Sequence, residues 1–326
     1  MRRAVAILLA LAFAGCGAAG GEDRPNGEAT LLLDFQPNAV HAGLFLATER
    51  AYDEAEGMDL DIRVPGASTD ALKQLDAGRA EMAILDIHDL GLAREQGHDL
   101  VGVMAFVQRP LAAVLAEPGI ASPRDLEGER VGVTGLPSDD AVLRSVVAGD
   151  GGDPDSVRPT TIGFQAVKAL LAGRVAGATA FWSAEGVELR RQRPGIQEFR
   201  VDEFGAPRYP ELVLTVTRRF LEEDAPEVRA TIRALQRGYA EAQRDPESAV
   251  AAMIEAQPGL DADSLAAQLD AVADSFTAGA RAFGELRPEV LRAWALWDVR
   301  FGILREPPDV DRAFDTSLVG IPEGNP

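Results

Sequence analysis

The 326-residue chain is predicted to be an α/β protein of two similar lobes joined by two hinge crossings. The first observation behind this is an alternation of short apolar, strand-like runs with helically spaced apolar residues, the pattern of a layered α/β architecture. The second is an internal repeat. Residues 71–83 (ALKQLDAGRAEMA) and 166–178 (AVKALLAGRVAGA) agree at a constant offset of 95 positions in Ala71/Ala166, Lys73/Lys168, Leu75/Leu170, Ala77/Ala172, Gly78/Gly173, Arg79/Arg174 and Ala83/Ala178. A helix, its glycine stop and the following strand therefore occur twice. The third is a pair of proline-bearing stretches, residues 107–111 (VQRPL) and 205–212 (GAPRYPEL), each separating one set of strands from the next as a hinge would. One lobe is then discontinuous, residues 29–108 and 213–316, and the other continuous, residues 112–205, with a tether at 17–28 and a tail at 317–326. The length suits two such units.

Residues 1–16 read as a signal peptide with a lipobox-like end. Arg2 and Arg3 precede an apolar run from Ala4 to Ala14, and the only cysteine, Cys16, follows Phe13, Ala14 and Gly15. The run is too short to span a bilayer, and no later segment approaches the roughly 20 apolar residues a span needs. Cys16 has no disulfide partner and is the expected lipidation site. Residues 17–28 (GAAGGEDRPNGE) lack apolar periodicity and read as a flexible tether. Removing residues 1–16 takes two of the 32 basic residues and none of the 52 acidic ones, leaving a net charge of −22. Such a surface disfavours nucleic acid and anionic lipid and opposes self-association, so a monomer is expected.

Residues 31–45 (LLLDFQPNAVHAGLF) read as strand, polar turn and helix. Leu31, Leu32 and Leu33 make a buried strand, Pro37 and Asn38 break it, and Val40, Leu44, Ala47, Ala51 and Ala55 follow at helical spacing. Asp34, Gln36, Asn38 and His41 thereby crowd the carboxyl end of a strand, where open α/β sheets bind ligands. Turn capping explains Asp34 and Asn38 equally well. Residues 60–64 and 82–85 are further strands, separated by a helix that carries Leu72 and Leu75, with Ser68 or Thr69 as its cap and Gly78 as its stop. Asp86 and His88 follow the second of them as ligand candidates. In the other lobe Val131 and Val133 are strand residues, Gly135 and Pro137 form a turn, and Ser138 is a helix cap ahead of Asp139 and Asp140. Thr134 and Ser138 are the candidates there. Strand 177–180 runs into FWSAEG, and the repeat offset sets this turn opposite Asp86, so Trp182 and Glu185 face the cleft. By default a tryptophan is core and Glu185 is a helix-start acid. From Ala225 the chain is helical, with Pro226 at a helix start, breaks near Pro246, Pro258 and Pro288, Trp294 and Trp297 as core residues, and a last short helix at 310–314.

Enzyme motifs are absent: the sequence has no GxSxG elbow, no HExxH, no phosphate-cradling GxxxxGK and no GxGxxG opening a helix. Its three histidines, His41, His88 and His98, have no familiar metal-ligand spacing, and DGGDPD at 150–155 lacks the glutamate of a calcium loop. No cofactor or metal is expected.

DFQPNAVHAGLF and FWSAEG resemble two signatures of the periplasmic-binding-protein family that includes bacterial binding proteins for thiamin pyrimidine precursors and the fungal pyrimidine synthases; the resemblance runs from residue 30 to about 314. It implies a two-lobed type II periplasmic-binding-protein fold. It also implies a lipoprotein outside the membrane that delivers a heteroaromatic vitamin precursor, a hydroxymethylpyrimidine or formylaminopyrimidine, to an ABC permease driven by a cytoplasmic ATPase. Riboflavin is the alternative ligand, because a binding protein for it belongs to the same branch. The ligand ring is expected to stack on Trp182, its amino group to donate to Glu185 or Asp34, and Tyr209, at the second crossing, to touch it. The fungal synthases draw their product from a bound pyridoxal cofactor and a histidine of their own chain. In register with GRAEMAILDIHDL their cofactor lysine falls on Leu85 and that histidine on Asp89, and no cysteine cluster occupies 207–211. A binder is therefore expected and an enzyme is not. A sulfonate or nitrate is a weaker candidate, since an anion seeks helix N-termini and arginines rather than two acids.

Overall fold

The computed structural model describes residues 27–66 and 68–321. The expected signal peptide, Cys16, most of the tether and the end of the tail lie outside the described residues. Two five-stranded sheets organise the rest. The first holds β1 (Gly27–Leu32), β2 (Met58–Arg63), β3 (Met82–Asp86), β4 (Leu100–Ala105) and β10 (Leu212–Thr217), in the order β2-β1-β3-β10-β4. The second holds β5 (Ala112–Ala116), β6 (Arg130–Val133), β7 (Arg158–Thr161), β8 (Gly177–Phe181) and β9 (Gln197–Arg200), in the order β7-β6-β8-β5-β9. Each sheet has a parallel trio, β2-β1-β3 or β7-β6-β8. Each also has one strand running against it, β10 or β5. That reversed strand is the one the chain enters on changing sheets, through 106–111 from β4 to β5 and through 201–211 from β9 to β10.

The repeated sequence builds the same unit in each lobe. Helices Ser68–Asp76 and Ala166–Leu171 are followed by Gly78 and Gly173 at φ +64 and +63, a left-handed stop that glycine adopts without a Cβ clash. The strand that follows, β3 or β8, is the central strand of its sheet. This two-lobed fold is the expected one.

Local structure departs from expectation in three places. β1 begins at Gly27, inside the expected tether, because it pairs in parallel with β2 from Gly27↔Met58 onward. The partner strand, not the apolar content of Gly27 and Glu28, specifies that end. The helix from Val40 does not run on to Ala55. A 3-10 turn Ala39–His41 leads into helix Ala42–Glu49, and Ala51 at φ 52 separates it from a short helix Tyr52–Ala55. That break turns the Tyr52 hydroxyl onto Glu241 and lets Asp53 accept the Leu60 N–H at 3.1 Å. Finally, helix Pro137–Gly149 starts at Pro137 with Leu136 as its N-cap, so Ser138 sits at the second helical position and caps nothing. Proline at that first position needs no N–H partner, and Asp139 takes over the turn by accepting from the Thr134 N–H at 2.6 Å.

The later helices cover the first sheet. Helix Ala225–Arg244 packs on Ala42–Glu49, where Gly43 and Gly238 let the two backbones touch. Tyr239 donates to the Val40 carbonyl at 2.5 Å and stacks on Phe283 with centroids 3.9 Å apart. This contact fixes the turn that carries Asp34 and Asn38. A Cβ on Gly238 would meet the Gly43 carbonyl oxygen at 2.1 Å and Ala47 Cβ at 2.7 Å. Gly238→Ala should therefore cost about 1–3 kcal/mol by overpacking, despite the gain in helix propensity of about 1 kcal/mol. Gly259→Ala, with no atom within 4 Å of the added carbon, serves as control. Urea unfolding measures both, and an unchanged midpoint for Gly238→Ala contradicts the packing described.

Candidate functional site

A cavity lies between the lobes at the carboxyl ends of β1, β3, β6 and β8, enclosing about 1040 Å³ not filled by protein atoms, including its open mouth. Parallel strands in both sheets end there, so side chains from the strand-to-helix turns converge on it. Phe35 from one lobe and Phe164 from the other stack across the opening, centroids 4.6 Å apart and planes 30° apart. Phe181, at the end of β8, supplies a third aromatic wall.

Of the residues expected at the site, Asp34, Asn38, Asp86, Thr134, Ser138 and Glu185 line this cavity. Asp34 is held by His41, whose Nδ1 accepts the Asn38 N–H at 3.2 Å, leaving the ring hydrogen on Nε2 to be donated to Asp34 at 2.7 Å. His41 is fully buried and acts behind Asp34 rather than on a ligand. Asn38 caps the 3-10 turn through the Val40 N–H and also lines the cavity, so its two readings hold together. Glu185 opens helix Glu185–Gln192 and accepts the Phe181 N–H at 3.3 Å through one oxygen. Desolvation raises its pKa, two backbone N–H groups partly offset that, and the Asp34 carboxylate of the other lobe adds to the rise.

Five expected residues do not line the cavity. Trp182 is 1% exposed; its indole N–H donates to the Pro110 carbonyl at 3.0 Å and the Arg200 guanidinium covers the ring at 3.8 Å. It braces the first crossing and offers no stacking face. Gln36 is exposed on the turn outside the cavity. His88 and Tyr209 are buried behind the cavity floor and bonded to each other at 3.1 Å, which also removes Tyr209 from ligand contact. His41 is the fifth. Conversely, Phe181, Phe164, Phe35, Asp89 and Glu211 line the cavity without having been anticipated as site residues. Cys16 lies outside the described residues.

The floor is a buried ionic network. Glu211, on the second crossing, accepts from the N–H groups of Leu111, the last residue of the first crossing, and Ala112, the first of β5, at 2.7 and 3.3 Å, and so ties the two crossings together. His88 Nδ1 lies 2.8 Å from Asp298 Oδ1. Burial alone lowers the His88 pKa, but the negative charges of Asp298, Asp86 and Glu211 outweigh it and bring it to about 10. The Trp294 indole nitrogen also approaches Nδ1 at 3.1 Å; an unprotonated Nδ1 accepting from it would leave Asp298 without a partner, so the acidic surroundings decide for imidazolium. Asp86, His88 and Glu211 bring ligand-type atoms within 4.8 Å of one another, but both His88 nitrogens are engaged and none is free for a metal.

Contacts also bridge the lobes at the cavity's outer edge. Gln268 accepts the Ala39 N–H at 3.3 Å and donates to Ser264, whose hydroxyl reaches Glu188 of the other lobe at 3.0 Å, with Arg191 3.6 Å from Asp261 beside it. The Asp34 turn is thereby linked to the helix that carries Glu185.

The sign of the network's pH linkage follows from His88. Its pKa is raised from 6.5 to about 10, so its stabilising charge is complete below about pH 6.5 and is lost as pH rises through about 10. Burial raises Asp86, Glu211 and Asp298 as well, which disfavours folding in the same direction. The melting temperature of the empty protein should fall between pH 7 and 10, with a smaller fall in His88→Gln from a lower starting value. A flat or rising profile by differential scanning calorimetry contradicts the charged assignment.

Comparison with known proteins agrees with this architecture. The NMT1/THI5-like family model matches residues 38–249. The formylaminopyrimidine-binding protein of Halalkalibacterium halodurans is 32% identical over 251 residues, covering 76% of each chain. The 4-amino-5-hydroxymethyl-2-methylpyrimidine phosphate synthase THI5 of Saccharomyces cerevisiae is 23% identical over 248 residues, covering 72% of each. Among solved structures, the periplasmic aliphatic sulphonate binding protein SsuA of Escherichia coli superposes with a TM-score of 0.72 at 16% identity, over 93% of this chain and 95% of that one, a likeness of fold alone. The chain belongs to the NMT1/THI5-like family and has the two-lobed periplasmic-binding-protein fold.

Proposed function

We propose that this chain is the solute-binding component of an ABC importer and captures an unphosphorylated aminopyrimidine precursor of thiamin, formylaminopyrimidine first among them. The observation that carries the reading is the cavity's charge. Asp34, Asp86, Asp89, Asp139, Glu185 and Glu211 line it, and no lysine, arginine or histidine does among the described residues. Acids in such excess over the one imidazolium behind the floor, His88, accept hydrogen bonds and repel anions, so an amino-bearing neutral ring suits the site and a phosphate, sulfonate or nitrate does not. Phe181, Phe35 and Phe164 provide the apolar faces for that ring in place of Trp182. The identity with a relative named for formylaminopyrimidine supports the same ligand.

A synthase reading has less support, although synthases are among the relatives. Leu85 and Asp89, where the fungal enzymes are taken to carry their cofactor lysine and reacting histidine, both line the cavity, and neither forms an imine with a pyridoxal nor supplies an imidazole. The proposed setting is outside the cell membrane, anchored through Cys16 and docking on a permease driven by an ATPase. No helix among the described residues is long and apolar enough to cross a membrane.

Isothermal titration with formylaminopyrimidine, hydroxymethylpyrimidine, its phosphate, riboflavin and an alkanesulfonate tests the reading. The two unphosphorylated pyrimidines should bind, and phosphate and sulfonate should give no heat. Glu185→Gln keeps an oxygen for the Phe181 N–H and should weaken the pyrimidines about tenfold to 150-fold, the worth of a hydrogen bond to a desolvated charge, with the melting temperature of the empty protein nearly unchanged. Wild-type affinity in that variant returns Glu185 to helix capping alone, and preference for the phosphate or for riboflavin overturns the ligand class.

A further inference from the structure

The cavity floor holds more carboxylate than it can ionise. Asp86 and Glu211 lie side by side there, because Asp86 ends β3, pairs in register with Leu212 of β10, and Glu211 immediately precedes that strand. Each has one oxygen already engaged: Asp86 Oδ1 accepts the His88 N–H at 2.8 Å, and Glu211 Oε2 accepts the Leu111 and Ala112 N–H groups. Glu211 Oε1 stands 4.0 Å from His88 Nε2, a nitrogen already bonded to Tyr209, and the side chain left within hydrogen-bond reach of Glu211 is the Asp86 carboxyl. Around the pair stand Asp89 and His88 from the turn and helix after β3, Tyr209 from the second crossing and Asp298 from helix Pro288–Arg300. Four carboxyls against one imidazolium leave an excess of negative charge in a desolvated space, and two acids sharing such a site keep a proton between them.

A second observation gives that proton a use. A pyrimidine carries ring-nitrogen acceptors as well as amino donors, and Asp34 and Glu185 satisfy only the donors. On the wall built by the first sheet one hydrogen of the Asn38 amide donates to the Gln36 carbonyl, at 3.2 Å, and the other lining side chains are acids or apolar, while the hydroxyls of Thr134, Ser138 and Thr179 belong to the opposite wall. We propose that Asp86 and Glu211 share one proton at the cavity floor, and that this neutral carboxyl is the donor by which the site recognises an acceptor atom of its ligand, a ring nitrogen or a carbonyl oxygen. The ligand half of this rests on the aminopyrimidine reading above; the shared proton does not. Burial is the main influence raising the pKa of both acids, with His88 opposing it in each case.

Two measurements separate these halves. Infrared difference spectra of the empty protein at pH 7, wild type minus Asp86→Asn and wild type minus Glu211→Gln, should each contain a protonated-carboxyl band, and its absence from both overturns the shared proton. Titration with formylaminopyrimidine should then find Asp86→Asn, whose amide is a permanent donor, within about threefold of wild type, and Asp86→Ala more than about tenfold weaker. An Asp86→Asn protein as weak as Asp86→Ala, with an unchanged melting temperature, overturns the donor role, since the charged carboxylate is then what the ligand needs. If wild type gives no heat with this probe, the ligand assignment fails, and the infrared bands decide the shared proton alone.

Discussion

Desolvating carboxylates in a closed cleft is the constraint around which this molecule is arranged. Six acids line one cavity without a cation among the lining residues, and four of them have partners that offset the loss of water. Asp34 takes the His41 ring hydrogen, Glu185 takes the Phe181 N–H, and Glu211 takes the N–H groups of Leu111 and Ala112, where the opposite crossing enters β5. Asp86 lies near the His88 imidazolium, itself pinned by Asp298. These devices draw on both lobes and both crossings, so the acidic cavity is a property of the assembled fold. No single turn in isolation could hold it.

Asp34 and Glu185 approach from different lobes, close enough for one to raise the proton affinity of the other. Like charges in a narrowing space resist closure until something donates to both. A ligand with hydrogen-bond donors removes that resistance and so reinforces the Phe35–Phe164 stack and the Ser264–Glu188 bond that bridge the lobes at the rim. On the proposed function, ligand and lobe closure are thus coupled through differential contacts in the two states, the only way a ligand shifts such an equilibrium. The crossings that must absorb the motion are stiff locally: Glu211 joins them, and Trp182 is wedged against Pro110 under Arg200.

The lobes were legible in the sequence because their signal is local: strand and helix periodicity, two glycine stops and a repeat of one unit. The polar turns were legible for the same reason, and six candidates from them line the cavity. What was not legible depended on register or on distance along the chain. β8 was expected to end at Ala180 but continues to Phe181. Alternation along a strand then turns Phe181 to the cavity and the next residue, Trp182, away from it. Glu211 meets its N–H donors 100 residues away and His88 meets Asp298 at a separation of 210, spacings with no local signature. Phe164 follows β7, an exposed edge strand without apolar alternation, so no expected element carried it.

Lobe closure by a donor-bearing ligand is most directly tested by small-angle scattering of the purified protein with and without saturating formylaminopyrimidine. A lower radius of gyration with the ligand, from a more open empty form, is the predicted result. An unchanged radius under conditions where calorimetry demonstrates saturation would contradict it, and would mean that the opposed carboxylates do not hold the empty lobes apart.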